Sequence, residues 1–434
     1  MRIAFITSGA AGMFCGSCMR DNALVSALIE QGHDALLIPT FTPIRTDDLD
    51  VSEGRLFYGG INVYLEQKSW LFRHTPRFVD WLFNRPWLVK WAAKRAVQTD
   101  YAQLADLTVS MLKGDHGLQR KELQKLTYWL KAEVRPEAVS LTNALLSGLV
   151  PGVKQALGVP VLVTLQGDDV FLDALPAEAR KRCIDLIREN DRSVDGYVAT
   201  SRFYADYMAN YLGIDRGKID VVYPGISLKG HGGPADPDPT RQPTVGFFAR
   251  LSPEKGFHNL VDAFIRLRQR QDAPPVKLKA AGWLGPQHRG YLDAQRAKLQ
   301  QAGLLTDFEH VDCPDHGSKV RFLRSLDVLS VPTQFLEPKG LYVLEAWANG
   351  VPVAQPRHGS FPELIEATGG GVIVEPGDPA ALADKLAELL HSPDRRAEMG
   401  RRGADGVTKK FTNAVMAERT VAVLTKYVRP VAAV

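Results

Sequence analysis

The sequence contains two glutamates, Glu337 and Glu345, whose spacing suggests ligand binding. The seven residues between them follow a β-like stretch that ends near Pro332, and the second half of this segment has the pattern of a helix start. A helix N-terminus presents free N–H groups and a partial positive charge, which suit a diphosphate. Gly340 allows the backbone to approach such a ligand closely.

Each of the two carboxylates can bind vicinal hydroxyl groups, because a carboxylate accepts two strong hydrogen bonds at once. Glu345, about one turn into the predicted helix, is placed for the paired hydroxyls of a ribose. Glu337, ahead of the helix, is placed for the hydroxyls of an attached sugar. Without further context, the same two residues are also compatible with a solvated helix face.

A second candidate site is the glycine-bearing loop 9–21, which follows the first predicted strand and opens the first predicted helix. This is the usual position for a phosphate to approach an α/β sheet. Ser17 is placed to cap the helix. Arg20 and Asp21 are placed to face either a ligand or solvent.

Cys15 and Cys18 form a Cys-x-x-Cys at the start of the same helix. That position lowers the pKa of a thiol, and redox enzymes exploit it. However, the chain has no second Cys-x-x-Cys, and its His and Cys residues do not cluster as a zinc site requires. Packing or loop geometry is the favoured interpretation, with a metal site and redox sensing as alternatives.

Length and composition are typical of a soluble chain with two or three domains. The 434 residues include 53 Lys and Arg against 49 Asp and Glu, and this net charge of +4 is too small to indicate nucleic-acid binding. The apolar run at the N-terminus is too short for a signal peptide, and no stretch approaches the ~20 apolar residues that span a bilayer. Four cysteines are not a disulfide framework, so we expect a cytoplasmic protein.

Short apolar runs alternate with helical patterns in both halves of the chain, which predicts an α/β fold with parallel sheets and right-handed crossovers. The predicted strands of the first half are 3–8, 34–40, 138–143, 161–165, 196–200 and 219–223. Those of the second half are 245–249, 276–281, 328–331, 352–354 and 372–374. Helices are predicted at 18–31, 259–270 and 381–391, and a last helix is predicted from Thr412 toward Tyr427.

These patterns divide the chain into an N-terminal Rossmann-like domain, 1–225, and a C-terminal Rossmann-like domain, 244–411. Residues 226–243 are dense in Gly and Pro and are predicted to form a linker. Residues 412–434 are predicted to be a terminal helical segment. Within the first domain, 67–131 is a helical, Trp- and Arg-rich insertion, interpreted as a cap that shapes a pocket or as an interfacial segment that contacts an anionic membrane.

The Glu-x7-Glu segment, with the residues that follow it, resembles the signature of family 4 glycosyltransferases, which have the GT-B fold. The resemblance covers nearly the whole chain, and further matching segments lie at 164–169, 198–201, 246–256, 369–371 and 376–378. It implies two Rossmann-like domains that face each other across a cleft, with the C-terminal helix crossing back to the first domain.

The resemblance also implies a retaining transfer of a sugar from a nucleoside-diphosphate sugar to an acceptor hydroxyl. In that family the first glutamate contacts the donor sugar and the second binds the ribose, roles that pass to Glu337 and Glu345. An Arg and a Lys neutralise the diphosphate, which indicates Arg250 and Lys255, and such a pair stabilises the leaving group most in the transition state. We therefore expect Arg250, Lys255 and Glu337 to be catalytic, without a metal or other cofactor.

The other expected substrate contacts, besides Glu345, are Gly12, Gly16, Gln166, Gly340 and Leu341. The family places a glycine of the first-domain loop against the diphosphate and the acceptor, and Gly16 is favoured over Gly12. Gln166 stands where many members carry a His that contacts the donor sugar. Because Gln can hydrogen-bond but cannot become charged, the identity of the donor sugar is left open. The acceptor is also left open, and is a glycan, a glycolipid or a small molecule.

Two aspartate pairs are not interpreted as metal ligands. Asp168 and Asp169 are predicted to be caps or acceptor contacts, and Asp236 and Asp238 to be solvated residues of the linker.

Three other functions were weighed against the transferase. A nucleotide-sugar epimerase shares the architecture but needs an acid and a base in the cleft, and the sequence shows no convincing pair. A catalytically silent sugar-nucleotide-binding protein is motivated by Gln166. An oxidoreductase would depend on Cys15 and Cys18.

Overall fold

The computed structural model describes residues 1–9, 15–46, 49–57, 101–233, 241–272 and 274–428. The chain divides into two compact units, the first comprising Met1–Tyr223 with Met416–Val434 and the second comprising Pro224–Val415. Gly12, Asp236, Asp238 and most of the predicted insertion lie outside the described residues. Among the residues that are described, no helix is both long and apolar enough to cross a bilayer.

A parallel sheet forms the centre of the first unit. Its strands are β1 (Arg2–Thr7), β2 (Asp34–Pro39), β3 (Ala138–Leu141), β4 (Val161–Leu165), β5 (Gly196–Ala199) and β6 (Ile219–Val221). They lie in the order β2-β1-β3-β4-β5-β6. Every residue of β3 and β4 is buried, as expected for strands covered on both faces. All six predicted strands of the first half are confirmed, with ends that differ by at most two residues.

The helices of the first unit follow its strands. They are α1 (Gly16–Glu30), α2 (Tyr101–Leu112), α3 (Arg120–Trp129), α4 (Val150–Leu157), α5 (Asp168–Asp173), α6 (Ala177–Asp191) and α7 (Arg202–Leu212). The described part of the predicted insertion contains α2 and α3, which bear out its helical pattern from residue 101 onward. Buried residues of α3, such as Leu123 and Leu126, belong to the same apolar cluster as Val139 of β3.

The second unit repeats this design. Its strands are β7 (Thr244–Phe248), β8 (Lys277–Ala281), β9 (Phe308–Val311), β10 (Val328–Leu329), β11 (Val353–Pro356) and β12 (Gly371–Val374). They form a parallel sheet in the order β12-β11-β10-β7-β8-β9. The helices are α8 (Phe257–Gln269), α9 (Arg289–Gln301), α10 (His316–Arg324), α11 (Leu341–Ala348), α12 (Phe361–Thr368), α13 (Pro379–Leu390) and α14 (Pro393–Lys410). Strand β9 and helix α14 were not predicted.

Each sheet contains a point where the strand order reverses. In the first unit it lies between β1 and β3, and in the second between β7 and β10. Ligands of open α/β sheets bind at this point, outside the carboxyl ends of the strands. The loops that follow β7 and β10 carry Lys255 and Glu337, so the second reversal coincides with two of the predicted catalytic residues.

The last helix, α15 (Asn413–Thr425), begins where the sequence predicted. The Thr412 hydroxyl accepts a 3.2 Å hydrogen bond from a backbone N–H of its first turn. Met416 and Leu424 are buried in the same apolar cluster as Ile3 of β1. The C-terminal segment therefore packs with the first unit, which confirms the predicted crossover.

Candidate active site

Lys255 and Glu337 form a buried ion pair where β7 and β10 end. Lys255 Nζ lies 2.8 Å from Glu337 Oε2, and the side chains are 12% and 5% exposed. The rings of Phe335 and Tyr342 lie 4.5 and 5.3 Å from Nζ, which adds cation–π attraction. Neighbouring strands thus bring together two residues that are 82 positions apart in the chain.

Glu337 is held at both carboxylate oxygens. Burial by itself would raise its pKa, but the charge and hydrogen bond of Lys255 outweigh burial and lower the pKa of Glu337 to about 2. The Tyr342 hydroxyl donates to Oε2 at 3.0 Å, and the N–H groups of Lys339 and Gly340 donate to Oε1 at 3.3 and 3.4 Å. Burial and the adjacent carboxylate raise the pKa of Tyr342 well above its ordinary value. Glu337 is therefore a fixed anion at neutral pH.

The loop after β11 encloses the backbone of Glu337. The Ser360 N–H donates a 2.8 Å hydrogen bond to the Glu337 carbonyl. Gly359 has a φ of +61°, and a Cβ atom there would lie 2.6 Å from both the N and the O of Glu337. His358 Nε2 lies 2.9 Å from the Thr333 carbonyl, and burial lowers the pKa of this imidazole. Nε2 donates to that carbonyl and ties the loop to the segment after β10.

Gly340 turns the chain into α11. Its φ of +65° lies in the left-handed region, which glycine adopts most readily. Leu341 is the first residue of α11, which agrees with a helix start in the second half of the Glu-x7-Glu segment. The N–H groups of a first helical turn have no acceptor within the helix, so this end of α11, beside the Lys255 ammonium, can bind an anion.

Arg250 lies on the same loop as Lys255 but is more exposed. Its guanidinium is 3.1 Å from Glu254, and its side chain is 42% exposed. The Gln334 N–H donates a 2.9 Å bond to the Glu254 carbonyl, which joins the loop after β7 to the segment after β10. Arg250 is thus positioned at the edge of the site rather than in contact with Glu337.

Glu345 forms a separate buried ion pair with Lys319 of α10. Lys319 Nζ lies 2.7 Å from Glu345 Oε1, with side chains 8% and 11% exposed. The two glutamates of the Glu-x7-Glu segment therefore have different ammonium partners. Both pairs are almost fully buried, so the interpretation of the glutamates as a solvated helix face is wrong.

In the first unit, Gly16 begins α1, and the cap position belongs to Cys15. The prediction that Ser17 caps this helix is wrong, because Ser17 already lies in its first turn. The Met19 N–H donates a 2.9 Å bond to the Cys15 carbonyl. Gly16 is thus the first residue of α1.

A buried polar network lies at the strand reversal of the first unit. The Arg20 guanidinium is 3.0 Å from Asp21, and the Thr142 hydroxyl donates to the other oxygen of this carboxylate. The Gln166 amide donates to the Thr142 carbonyl at 2.9 Å and to Asp21 at 3.3 Å. Arg20 and Asp21 are each 3% exposed, so their interpretation as solvent-facing residues is wrong.

Asp168 and Asp169 are buried carboxylates at the start of α5. Asp168 accepts hydrogen bonds from the N–H groups of Ala144, at 2.6 Å, and Gln166, at 2.9 Å. Burial raises the pKa of Asp168 to about 6. The Tyr204 hydroxyl donates to Asp169 at 2.5 Å. Both carboxylates thus join β4 and α5 to neighbouring elements. The cap position of α5 is Gly167, without a side-chain hydrogen bond, so the interpretation of the two aspartates as caps of this helix is wrong, and the acceptor contact stays a prediction.

The side chains of Cys15, at the cap position of α1, and Cys18, in its first turn, are in contact. A hydrogen bond with Cys15, burial and the nearby Asp21 raise the pKa of Cys18 far above its ordinary value. Cys18 Sγ also lies 3.8 Å from the Thr7 hydroxyl. Because a buried thiol with a raised pKa forms little thiolate, these contacts favour the packing interpretation. Within the part of the chain that the structure describes, no group of three His, Cys, Asp or Glu side chains could hold a metal ion.

Three residues of the second unit were missed by the sequence analysis: Lys319, Tyr342 and Ser360. Tyr342 could have been identified from the sequence, because it lies inside the Glu-x7-Glu segment, close to Glu337. Lys319 and Ser360 carry no sequence signal, since their roles arise only when α10 and the loop after β11 pack beside α11.

Two family models match the chain. The model described as Glycosyl transferases group 1 matches residues 235–405, which include Arg250, Lys255, Glu337 and Glu345. The model described as Glycosyltransferase Family 4 matches residues 105–229. Together the two matches cover about two thirds of the chain.

The chain is also similar to several bacterial glycosyltransferases. It is 28% identical over 335 residues to a D-inositol 3-phosphate glycosyltransferase of Segniliparus rotundus, covering 70% of this chain and 66% of that protein. It is 26% identical to a GDP-mannose-dependent alpha-(1-6)-phosphatidylinositol monomannoside mannosyltransferase of Mycobacterium tuberculosis, covering 61% and 69% of the two chains. A D-inositol 3-phosphate glycosyltransferase of Corynebacterium efficiens is 29% identical, with 52% of this chain and 55% of that protein covered. The chain thus spans between 55% and 69% of these relatives' own length.

Solved structures show the same fold. Sucrose-phosphate synthase from Thermosynechococcus elongatus has a TM-score of 0.71 at 17% identity, covering 98% of this chain and 99% of its own. Anabaena HepE in complex with UDP has a TM-score of 0.68 at 16% identity, covering 98% and 100%. At these identities the likeness establishes the fold. The chain belongs to the family 4 glycosyltransferases and has their GT-B fold, built from two Rossmann-like units.

Proposed function

We propose that the protein transfers a sugar from a nucleoside-diphosphate sugar to an acceptor hydroxyl, with retention of the anomeric configuration. The observation that carries this proposal is the buried Lys255–Glu337 ion pair beside the N-terminus of α11, at the strand reversal of the second unit. The site combines a fixed cation, a helix N-terminus and a fixed carboxylate. These are the groups that a diphosphate and an attached sugar require.

In this proposal the diphosphate binds against Lys255, Arg250 and the backbone of Gly340 and Leu341. The transferred sugar lies toward Glu337, and the ribose lies toward Glu345. Negative charge builds on the diphosphate as the glycosidic bond breaks. Cations and dipoles fixed before the reaction stabilise that charge without reorganisation, and removing one such donor typically costs about 3–4 kcal/mol of barrier.

The proposal requires no metal ion, because Lys255, Arg250 and the N-terminus of α11 supply the positive charge. The acceptor is a glycan, a glycolipid or a small molecule and is expected near Gly12, Gly16 and Gln166 of the first unit. The leaving phosphate takes the acceptor proton as the acceptor oxygen attacks the same face of the sugar. We place this reaction in the cytoplasm, with 67–131 as the segment that would contact a membrane surface.

A screen of UDP-, GDP- and ADP-sugars by thermal shift tests donor binding. A true donor at 100 times its dissociation constant stabilises the protein by about 2.7 kcal/mol, so the melting temperature should rise. Glu345→Gln should remove most of this rise, since an amide is a weaker acceptor for ribose hydroxyls than a carboxylate. Glu375→Gln is the matched control, because Glu375 forms an exposed pair with Arg357.

The transfer itself is tested by following the anomeric proton of the product by NMR with the donor that the screen identifies. Retention is the expected outcome, and inversion would contradict the proposed mechanism. If no tested nucleotide sugar changes the melting temperature, the proposed function is wrong. Binding without transfer to any acceptor would instead support the silent sugar-nucleotide binder that Gln166 suggests.

A further inference from the structure

We infer that Lys319 is a positioning residue for the nucleotide, acting through Glu345 to fix the carboxylate that receives the ribose hydroxyls. The inference extends the proposed function and depends on it. Lys319 Nζ lies 2.7 Å from Glu345 Oε1. The two residues are 6% and 8% exposed, so the contact is shielded from bulk water.

The position of Lys319 is fixed by the start of α10. Asp315 caps this helix through a reciprocal capping box with Ser318, with a 2.7 Å bond from the Ser318 N–H to the Asp315 carboxylate. The Lys319 N–H bonds to the Asp315 carbonyl at 3.1 Å. The ammonium is therefore presented from a well-defined first turn.

The position of Glu345 is fixed from the other end of α11. The Asn349 amide donates a 2.9 Å bond to the Glu345 carbonyl and lies 2.8 Å from His231 Nδ1. His231 in turn packs edge-on against His316 of α10, with ring centroids 5.2 Å apart. The same cluster thus ties together the two helices that carry the ion pair, so the Lys319–Glu345 geometry is set before any ligand binds.

Stability alone does not account for this pair. A buried ion pair gains little net stability over apolar side chains of similar volume, because both charges lose their hydration. An ionised, oriented carboxylate, however, accepts two hydroxyl hydrogen bonds, which an apolar side chain cannot do. Glu345 lies about one turn into α11, whereas the diphosphate is proposed to bind at the N-terminus of this helix. The ligand group that suits the Glu345 carboxylate is therefore the diol of the ribose attached to the diphosphate. Lys319 supplies the counter-charge that keeps this carboxylate in place.

The test measures dissociation constants of UDP, GDP and ADP, and of their 2′,3′-dideoxy analogues, by calorimetry. Lys319→Met should weaken the binding of the preferred ribonucleotide by about 10- to 100-fold, the cost of a charge-assisted hydrogen bond. Binding of the matching dideoxy analogue should change by less than about twofold, because it has no hydroxyls for Glu345 to receive. Lys319→Arg should restore most of the affinity.

Two further variants separate positioning from folding. Lys279→Met removes a lysine whose partner, Glu309, is 59% exposed, and should leave all affinities unchanged. In the double variant Lys319→Met/Glu345→Gln no unpaired buried charge remains, so it should fold, and it should bind the ribonucleotide as weakly as Glu345→Gln alone. Such non-additivity is the signature of residues that act as one unit.

Equal weakening of the ribonucleotide and its dideoxy analogue would overturn the inference, because Lys319 would then act on the phosphates or on the fold. Unchanged affinity in Lys319→Met would overturn it as well. If the parent protein prefers ribonucleotides and only the variants behave unexpectedly, the proposed function stands without this role for Lys319. If the parent binds none of the three nucleotides, the proposed function fails and the inference fails with it.

Discussion

At the scale of the residue, the central feature is the ion pair of Lys255 and Glu337, in which both charged side chains are buried. The Glu337 carboxylate accepts four hydrogen bonds, one of them from the Lys255 ammonium, and these offset the cost of burying its charge. Lys255 in turn has the rings of Phe335 and Tyr342 beside it. Neither side chain has to reorganise when a charged ligand arrives, which is the condition for strong electrostatic stabilisation of a transition state.

This arrangement makes stability depend on pH. The pKa of Glu337 is lowered from 4.5 to about 2, so its contribution is fully present above about pH 4.5 and is lost as the pH falls toward 2. Glu337→Gln should therefore reduce the free energy of unfolding by roughly 3–5 kcal/mol at pH 7, the usual cost of breaking a buried pair. The difference from the parent protein should shrink at pH 3. Urea unfolding at both pH values measures it.

The matched control for this experiment is Glu309→Gln, because the Glu309 side chain is 59% exposed in its pair with Lys279. Its effect should stay within about 0.5 kcal/mol at either pH, as for other surface pairs. A Glu337→Gln deficit that is as large at pH 3 as at pH 7 would show that the carboxylate is not stabilised as an ion.

At the scale of the element, the loops after β7, β10 and β11 form the site by close backbone contact. Gly359 illustrates this best, since its backbone lies against that of Glu337 and its φ is positive. Gly377 has a similar φ of +68° but open space around it. Comparing alanine variants of the two glycines therefore distinguishes the free-energy cost of a positive φ from the cost of displacing the backbone of Glu337.

Both Gly377→Ala and Gly359→Ala should lose about 1–2 kcal/mol for the left-handed conformation. Gly359→Ala should lose more, because the added methyl group displaces the backbone of Glu337. It should also reduce the thermal shift produced by the donor, which Gly377→Ala should leave intact. Equal stability and equal donor response in the two variants would argue against a role for this loop in holding Glu337.

Helices and strands were predictable wherever burial left a clear apolar pattern. Val161–Leu165 was predicted to the residue, because β4 is buried along its whole length. Strand β9 was missed because it is the edge strand of its sheet, and none of its four residues is fully buried. Its sequence therefore lacks the apolar run of a central strand.

Helix α14 was missed for a different reason. Gly400, Gly403 and Gly406 give it the composition of a loop, since glycine disfavours helices. In the structure these glycines face neighbouring elements: a Cβ atom at Gly400 would collide with the Gly350 carbonyl, and one at Gly403 with the Trp347 ring. The glycines serve close helix packing, which depends on contacts that a single sequence does not show.

At the scale of the whole molecule, the sequence indicated two Rossmann-like units, and the described residues confirm one parallel sheet in each. The Glu-x7-Glu segment and the Arg–Lys loop were found because their residues are close in sequence. The partners of Glu345 and of Asp21 were not, since Lys319 and Thr142 reach them only through the tertiary fold. The motifs of the candidate site were thus recognisable in the sequence, whereas the charges that hold those motifs in place required the structure.

The most direct test of the account is a crystal structure of the protein with the nucleoside diphosphate that stabilises it most. We predict that the diphosphate lies at the start of α11, with oxygens about 3 Å from the Leu341 N–H and from Lys255 Nζ, and that the ribose hydroxyls face Glu345. A diphosphate bound anywhere else, for example against Gly16 of the first unit without contact to α11, would contradict the central claim.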